Sequence, residues 1–203
     1  EITGKIIYQA IILFPESKNW DWSVKVIDDP KMVNAWCMAG GKMAIYTGLL
    51  DKVKPTDDEL AQVMGHEISH ALANHTAERM SVAMASQLGL IGVAIATSDS
   101  SNRGLALSGA AAAAALAINL PNSRASEKEA DILGMELAAR AGYDPKAAAT
   151  LWQKMGEVGG SSPPQFLSTH PSPDNRQESL RQLADKMMPY YLADTPRPVY
   201  PLR

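Results

Sequence analysis

The clearest hydrophobic pattern in the chain runs from Leu60 to Leu72, where Leu60, Val63, Met64, Ile68, Ala71 and Leu72 recur at helical spacing. Pro55 closes the segment before it. Thr56, then Asp57, Asp58 and Glu59, supply an N-cap, an acidic first turn and the Thr-x-x-Glu spacing of a capping box. The pattern predicts a helix from about Asp57 to at least Glu78, with its apolar stripe buried. Upstream, Trp22, Val24 and Val26 alternate within residues 20–27 and predict a strand, followed by a turn at Asp28-Asp29-Pro30. Residues 33–38 and 42–46 predict two more strands about a Gly40-Gly41 turn, which makes a small antiparallel sheet. Residues 1–14 are apolar without a clean period and read as a short helix or strand, and Thr47 to Val53 as a short helix.

Beyond the long helix, residues 82–96 are apolar but for Ser86 and Gln87, and residues 104–120 carry no charge. Each approaches the length of a membrane span, but both are rich in Ala and Gly, which contribute little to insertion. A helical hairpin over about 82–120, packed on the protein, is favoured over a true span. A surface touching a membrane or partner is the lesser reading. Asn122 or Ser123 caps a helix to about Ala141, closed by Gly142 and Asp144-Pro145, and residues 146–156 form another. After a Gly/Ser/Pro loop at 159–164, Thr169 to Pro173 is a proline-stiffened turn, and Asp174 to Met188 the last helix. The expected architecture is α+β, mostly α, with one domain over 1–188. A proline-rich tail over 189–203 has little reason to be ordered.

With 203 residues, 46% of them hydrophobic, the chain has ample material for one core. A net charge of −3 carries no basic excess, which sets nucleic acid aside as a partner. Cys37 is the sole cysteine, so there is no internal disulfide and no cysteine-based zinc site, and it reads as a small buried hydrophobe. Cysteine usage leaves the compartment open. No signal peptide leads the chain, and its start at Glu1 rather than Met is expected of a processed or trimmed protein whose targeting segment is gone.

Chemistry enters at His66-Glu67-x-x-His70, inside the long helix. Positions i and i+4 share one helix face, so the two imidazoles can converge on one ion. Glu67 lies about 100° round the helix from His66, beside the ion rather than on it, where a base can take a proton from water. This spacing is the zinc-protease signature: one zinc, two histidine ligands and a glutamate base. A catalytic zinc takes a third protein ligand, and Glu127 is the best candidate, with Asp131 one turn on as hydrogen-bond partner to a ligating histidine. Alternatively, Glu127, Glu129 and Asp131 are a solvated helix face. His75 is five residues past His70, about 140° away and without the glycine that a three-histidine site needs, so it reads as a structural histidine near the helix end. His170, held between prolines with Arg176 following, is either a removable fourth ligand, a stabiliser of the oxyanion, or a turn histidine bonded locally.

His66-Glu67-x-x-His70, Ser123-Arg124-x-x-Glu127-x-x-Ala130-Asp131, and Thr169-His170-Pro171 with Arg176 occur together and in that order. Asn34-Ala35, Gly41 and Tyr46-Thr47-Gly48-Leu49 stand upstream. On these motifs the chain resembles the HtpX / CAAX prenyl protease / Oma-type zinc metallopeptidases over most of residues 20–185, above all their bacterial envelope members. The resemblance implies a gluzincin-like fold, zinc held by His66, His70 and Glu127, and Glu67 as general base. It further implies His170 as a plug on the zinc site, and Gly41, Lys42, Met43, Ala44 and Ile45 as an edge strand to which substrate peptide adds. The implied substrates are polypeptides, misfolded or unassembled proteins of the cell envelope. The implied setting is the periplasm, with peripheral membrane or outer-membrane assembly contact as a further expectation. Two rivals remain: a zinc-bound but latent chaperone or assembly factor, and a metal-dependent hydrolase of non-protein amides.

Overall fold

The computed structural model describes residues 1–97, 124–158, 164–170 and 175–202, with residues 104 and 107–111 between them. Helix α1 spans Ile2–Leu13 and is followed by a 3-10 turn over Pro15–Asn19. Then come strands β1 (Ser23–Ile27), β2 (Ala35–Cys37) and β3 (Lys42–Tyr46), and helices α2 (Thr47–Val53), α3 (Asp57–Leu72) and α4 (His75–Ala96). The second half holds α5 (Arg124–Arg140), α6 (Ala147–Val158), α7 (Gln165–Thr169) and α8 (Arg176–Leu192). The return arm of the expected hairpin, over 112–120, and the Asn122 or Ser123 cap lie outside the described residues. Among the described residues no helix is long and apolar enough to cross a membrane.

Helix α3 organises the rest. Its first turn forms the capping box, with the Thr56 hydroxyl accepting from the Glu59 amide at 3.3 Å and the Glu59 carboxylate accepting from the Thr56 amide at 2.9 Å. From Ala61 to Leu72 every residue is buried, because α1, α5, α6 and β2 all pack against the helix. A helix enclosed in this way keeps its polar face dry, and that face carries the histidines.

Glu59 ties this start to α6. Its carboxylate accepts from Lys154 Nζ at 2.6 Å and Thr150 Oγ1 at 2.8 Å. Burial pushes the Glu59 carboxyl up, but the bonds from Lys154, Thr56 and Thr150 outweigh it and leave the pKa below the ordinary value. A depressed carboxyl stabilises the fold above its unfolded pKa, and that contribution is lost as pH falls through the folded value. Glu59→Gln should therefore cost about 1.5–3 kcal/mol at pH 7, the range for a hydrogen-bonded charge. Urea denaturation at pH 7 and pH 3 checks this: the gap from wild type should close at the lower pH, and a constant gap would argue against the charge.

The sheet departs from expectation. Its order is β1-β3-β2, with β2 antiparallel to β3 but β1 parallel to it, Ser23 opposite Lys42 and Ile27 opposite Tyr46. The expected antiparallel sheet is thus mixed. The Gly40-Gly41 turn pairs β2 with β3, and the chain between β1 and β2 crosses over, leaving β1 on the far side of β3. Consequently β3 is the central strand, not an edge. Gly41 sits in the turn with its carbonyl accepting from Ser23, Lys42 pairs with Asp21, and Met43, Ala44 and Ile45 are buried in the core. The 41–45 segment therefore has no free edge to offer a peptide.

Two further boundaries differ. The helix expected to run through Glu78 stops at Leu72, because Asn74 takes a left-handed conformation (φ 60°) and α4 starts afresh at His75. Asn tolerates that conformation better than most residues. The tail is docked rather than loose: the Tyr200 amide donates to the Gly4 carbonyl at 3.0 Å, and Tyr200 and Leu202 pack on the core. The close approach needs a glycine, since a Cβ on Gly4 would lie 2.7 Å from the Tyr200 oxygen.

Candidate metal centre

The helical pitch of α3 brings the Nε2 atoms of His66 and His70 to 3.1 Å from each other. Helix α5 crosses α3 so closely that Gly65 and Gly134 meet backbone to backbone; a Cβ on Gly65 would lie 2.5 Å from the Gly134 carbonyl oxygen. That crossing delivers Glu127, near the start of α5, to both imidazoles: 3.4 Å to His66 Nε2 and 3.3 Å to His70 Nε2. From the end of α7, His170 presents Nδ1 at 3.2 Å from His66 Nε2 and 2.9 Å from Glu127 Oε1. These four residues are all buried, and one donor atom from each lies within 4.8 Å of the rest.

The donor set fits zinc. Bonds of 2.0–2.1 Å in tetrahedral geometry imply ligand-to-ligand separations of about 3.3 Å. The closest contacts among the four groups, counting both Glu127 oxygens, run from 2.9 to 3.4 Å, and one donor atom from each lies within 4.8 Å of the rest. The electrostatics also call for a cation. Burial opposes charging of His66, but hydrogen bonds to Asp131 and Glu127 prevail and push it up to about 9. Burial pushes its neighbour His70 down to about 3. Burial would raise Glu127, yet its bonds to the three histidines hold it well below the usual carboxylate range. The carboxylates of Glu127 and Asp131 thus favour positive charge among the histidines, which a metal ion can supply instead of a proton.

Around this centre, His66 Nδ1 lies 3.1 Å from Asp131 Oδ1, so a carboxylate faces its outer nitrogen. Arg176 Nη2 donates to Asp131 at 2.6 Å and to Glu127 at 3.3 Å, and its guanidinium stacks 3.7 Å over the Trp152 ring. Phe166 stacks on His170 with ring centroids 4.5 Å apart, fixing the imidazole. Glu67 is buried beside the centre with Oε1 at 3.3 Å from His170 Nε2, and burial pushes its carboxyl up. Cys37 is buried, and burial pushes its thiol up as well, in keeping with a hydrophobic role.

The structure therefore gathers His66, His70, Glu67, Glu127, Asp131, His170 and Arg176 at one place, and leaves Gly41 in a turn and Lys42 to Ile45 in the central strand. Sequence reasoning missed Gly65 and Gly134, although glycines inside a helical pattern signal a packing requirement. It also missed Phe166, Trp152 and the contact of His75 with His70, none of which has a local signature.

Two histidines one helical turn apart, a carboxylate from a second helix and a further carboxylate beside the first histidine define a metallopeptidase-type site. The chain belongs to peptidase family M48, whose family model matches residues 5–184. It is 40% identical over 162 residues to the mitochondrial metalloendopeptidase OMA1 of Arabidopsis thaliana, covering 79% of this chain and 31% of that protein. The human mitochondrial metalloendopeptidase OMA1 is 37% identical over 172 residues, 80% of this chain and 32% of that protein. The beta-barrel assembly-enhancing protease of Escherichia coli is 30% identical over 163 residues, 77% of this chain and 33% of that protein. The chain spans about a third of the length of these relatives. The expected Oma-type kinship holds.

Proposed function

We propose that this chain is the catalytic domain of a zinc-dependent metalloendopeptidase, with one zinc held by His66, His70 and Glu127. The observation that carries the reading is the buried gathering of His66, His70, Glu127 and His170 donor atoms at one point, with Glu67 alongside. Bound there, zinc would polarise the scissile carbonyl and lower the pKa of water towards 7. Glu67 takes the proton of the attacking water and later delivers it to the leaving amine, a task suited to a carboxyl raised by burial. Asp131 holds the His66 ring, and Arg176 holds Asp131 and Glu127.

His170 closes the site in this reading. Its Nδ1 lies 3.2 Å from His66 Nε2 and its Nε2 3.3 Å from Glu67 Oε1, so the ring stands between the ligand histidine and the base, where water would have to enter. Cleavage then requires the ring to leave, so the resting protein is latent. His170→Ala should cleave unfolded casein about 10-fold faster than wild type or more, the ratio expected when the open form is a minor species. Equal or slower cleavage at equal zinc content would assign His170 to oxyanion stabilisation instead.

The substrate strand moves with the topology. A peptide can add only to an outer strand, and β2 is the outer strand that packs on α3. For substrates, the reading of misfolded or unassembled envelope proteins is supported by the beta-barrel assembly-enhancing relative. The mitochondrial relatives, at higher identity, favour a membrane-bounded organelle or envelope over the periplasm alone. Exposed Met84, Leu88, Ile91 and Ile95 along α4 support an apolar contact, to membrane or partner. The latent chaperone-like reading keeps one support, the closed position of His170, and would prevail if zinc is present but no variant cleaves.

A further inference from the structure

His75 was expected to be structural, yet its ring turns back onto the metal centre. The left-handed Asn74 separates α3 from α4 by two residues, and this places His75 at the start of α4 facing His70. His70 Nδ1 and His75 Nδ1 are 3.0 Å apart, and both rings are buried. On its far side His75 Nε2 lies 3.4 Å from Glu129 Oε2.

We infer that His75, backed by Glu129, is a positioning residue that fixes the tautomer and orientation of His70 for metal binding. The inference rests on the zinc-site reading above. To bind a metal through Nε2, neutral His70 must carry its proton on Nδ1. The group facing that proton is His75 Nδ1, which must therefore be the acceptor and keep its own proton on Nε2. Glu129 Oε2, 3.4 Å away, is the carboxylate that faces that second proton. The chain Glu129–His75–His70 thus allows one arrangement of protons, and it is the arrangement that leaves the His70 lone pair aimed at Glu127 and His66. His66 has a simpler arrangement, with Asp131 directly on its outer nitrogen. Each ligating histidine is thereby held from behind by its own partner, drawn from different elements.

The test is zinc affinity by chelator competition on His75→Leu, His75→Asn, Glu129→Ala and His66→Ala, with the melting temperature of each metal-free form and the visible spectrum of each cobalt-loaded form. Leu keeps the bulk but accepts no hydrogen bond, and should weaken zinc binding about 10- to 100-fold. Asn can present its amide oxygen near the place of Nδ1 and should recover most of the loss. Glu129→Ala, at an exposed position, should weaken binding several-fold and leave the melting temperature unchanged. Wild-type affinity in both His75→Leu and Glu129→Ala overturns the inference, as does a loss in His75→Asn equal to that in His75→Leu. Should His75→Leu fail to fold, Glu129→Ala decides. Wild-type affinity in His66→Ala overturns the zinc-site reading itself and is distinguishable from failure at His75.

Discussion

Glu67→Gln, made in the His170→Ala background so that the site is open, should lower the rate of casein cleavage about 10²- to 10⁴-fold, the usual contribution of a positioned acid–base group. Zinc content should stay at about one per chain. The substitution keeps size and shape and removes only basicity. Glu67 is suited to the role because it is buried and, among the described residues, its Oε1 accepts no hydrogen bond, with His170 Nε2 standing 3.3 Å away. An ionised carboxylate in that position is poorly solvated, and burial accordingly raises its pKa above the ordinary carboxylate value. A base raised towards neutrality accepts a proton from water more readily than an exposed glutamate does. Its separation from the donor atoms of His66 and His70 by one step round the helix explains why zinc should survive the change. Loss of zinc in Glu67→Gln would place the carboxylate on the metal, and undiminished cleavage would remove it from the reaction.

Gly134→Ala should both destabilise the protein and weaken its zinc site, although it adds only one methyl group and touches no ligand side chain. A Cβ there would lie 2.7 Å from the His66 amide nitrogen and 2.8 Å from the His66 Cα. Those neighbours are backbone atoms of a helix packed on all sides, so they cannot swing away as a side chain would. Helix α5 must retreat from α3, at a cost of about 1–3 kcal/mol for overpacking. Glu127 rides on α5 and retreats with it, so zinc affinity should fall by about 10-fold or more, as when a ligand loses its support. Gly156→Ala in α6 is the contrast: a Cβ there meets nothing within 4 Å. It should stabilise the fold by about 0.5–1 kcal/mol through helix propensity alone. Denaturant melts and chelator competition on both variants decide the matter. Unchanged stability and affinity in Gly134→Ala would show that the helix crossing tolerates more distance than the geometry implies.

The features legible in the sequence were those that neighbouring residues decide among themselves. The capping box at Thr56 and Glu59, the start of α3 at Asp57, the ranges of β3 and α2, and the sharing of one face by His66 and His70 follow from spacing along a few turns of chain. The pairing of Glu127 with the histidines was reachable only as a chemical requirement, because a zinc site needs a third ligand. What the tertiary structure alone decided lies across long separations: His170 meets His66 over 104 residues and Glu127 over 43. The parallel partner of β3 was invisible because strand periodicity reports which face is buried, not which neighbour supplies the hydrogen bonds. That is why an expected edge strand proved central. The helix break at Asn74 likewise depended on context, since the pattern continues through it, and only the fold shows that the break turns His75 onto His70. Local spacing fixes which side chains share a face; closing long loops against one another fixes which faces meet, and this site is made where three of them do.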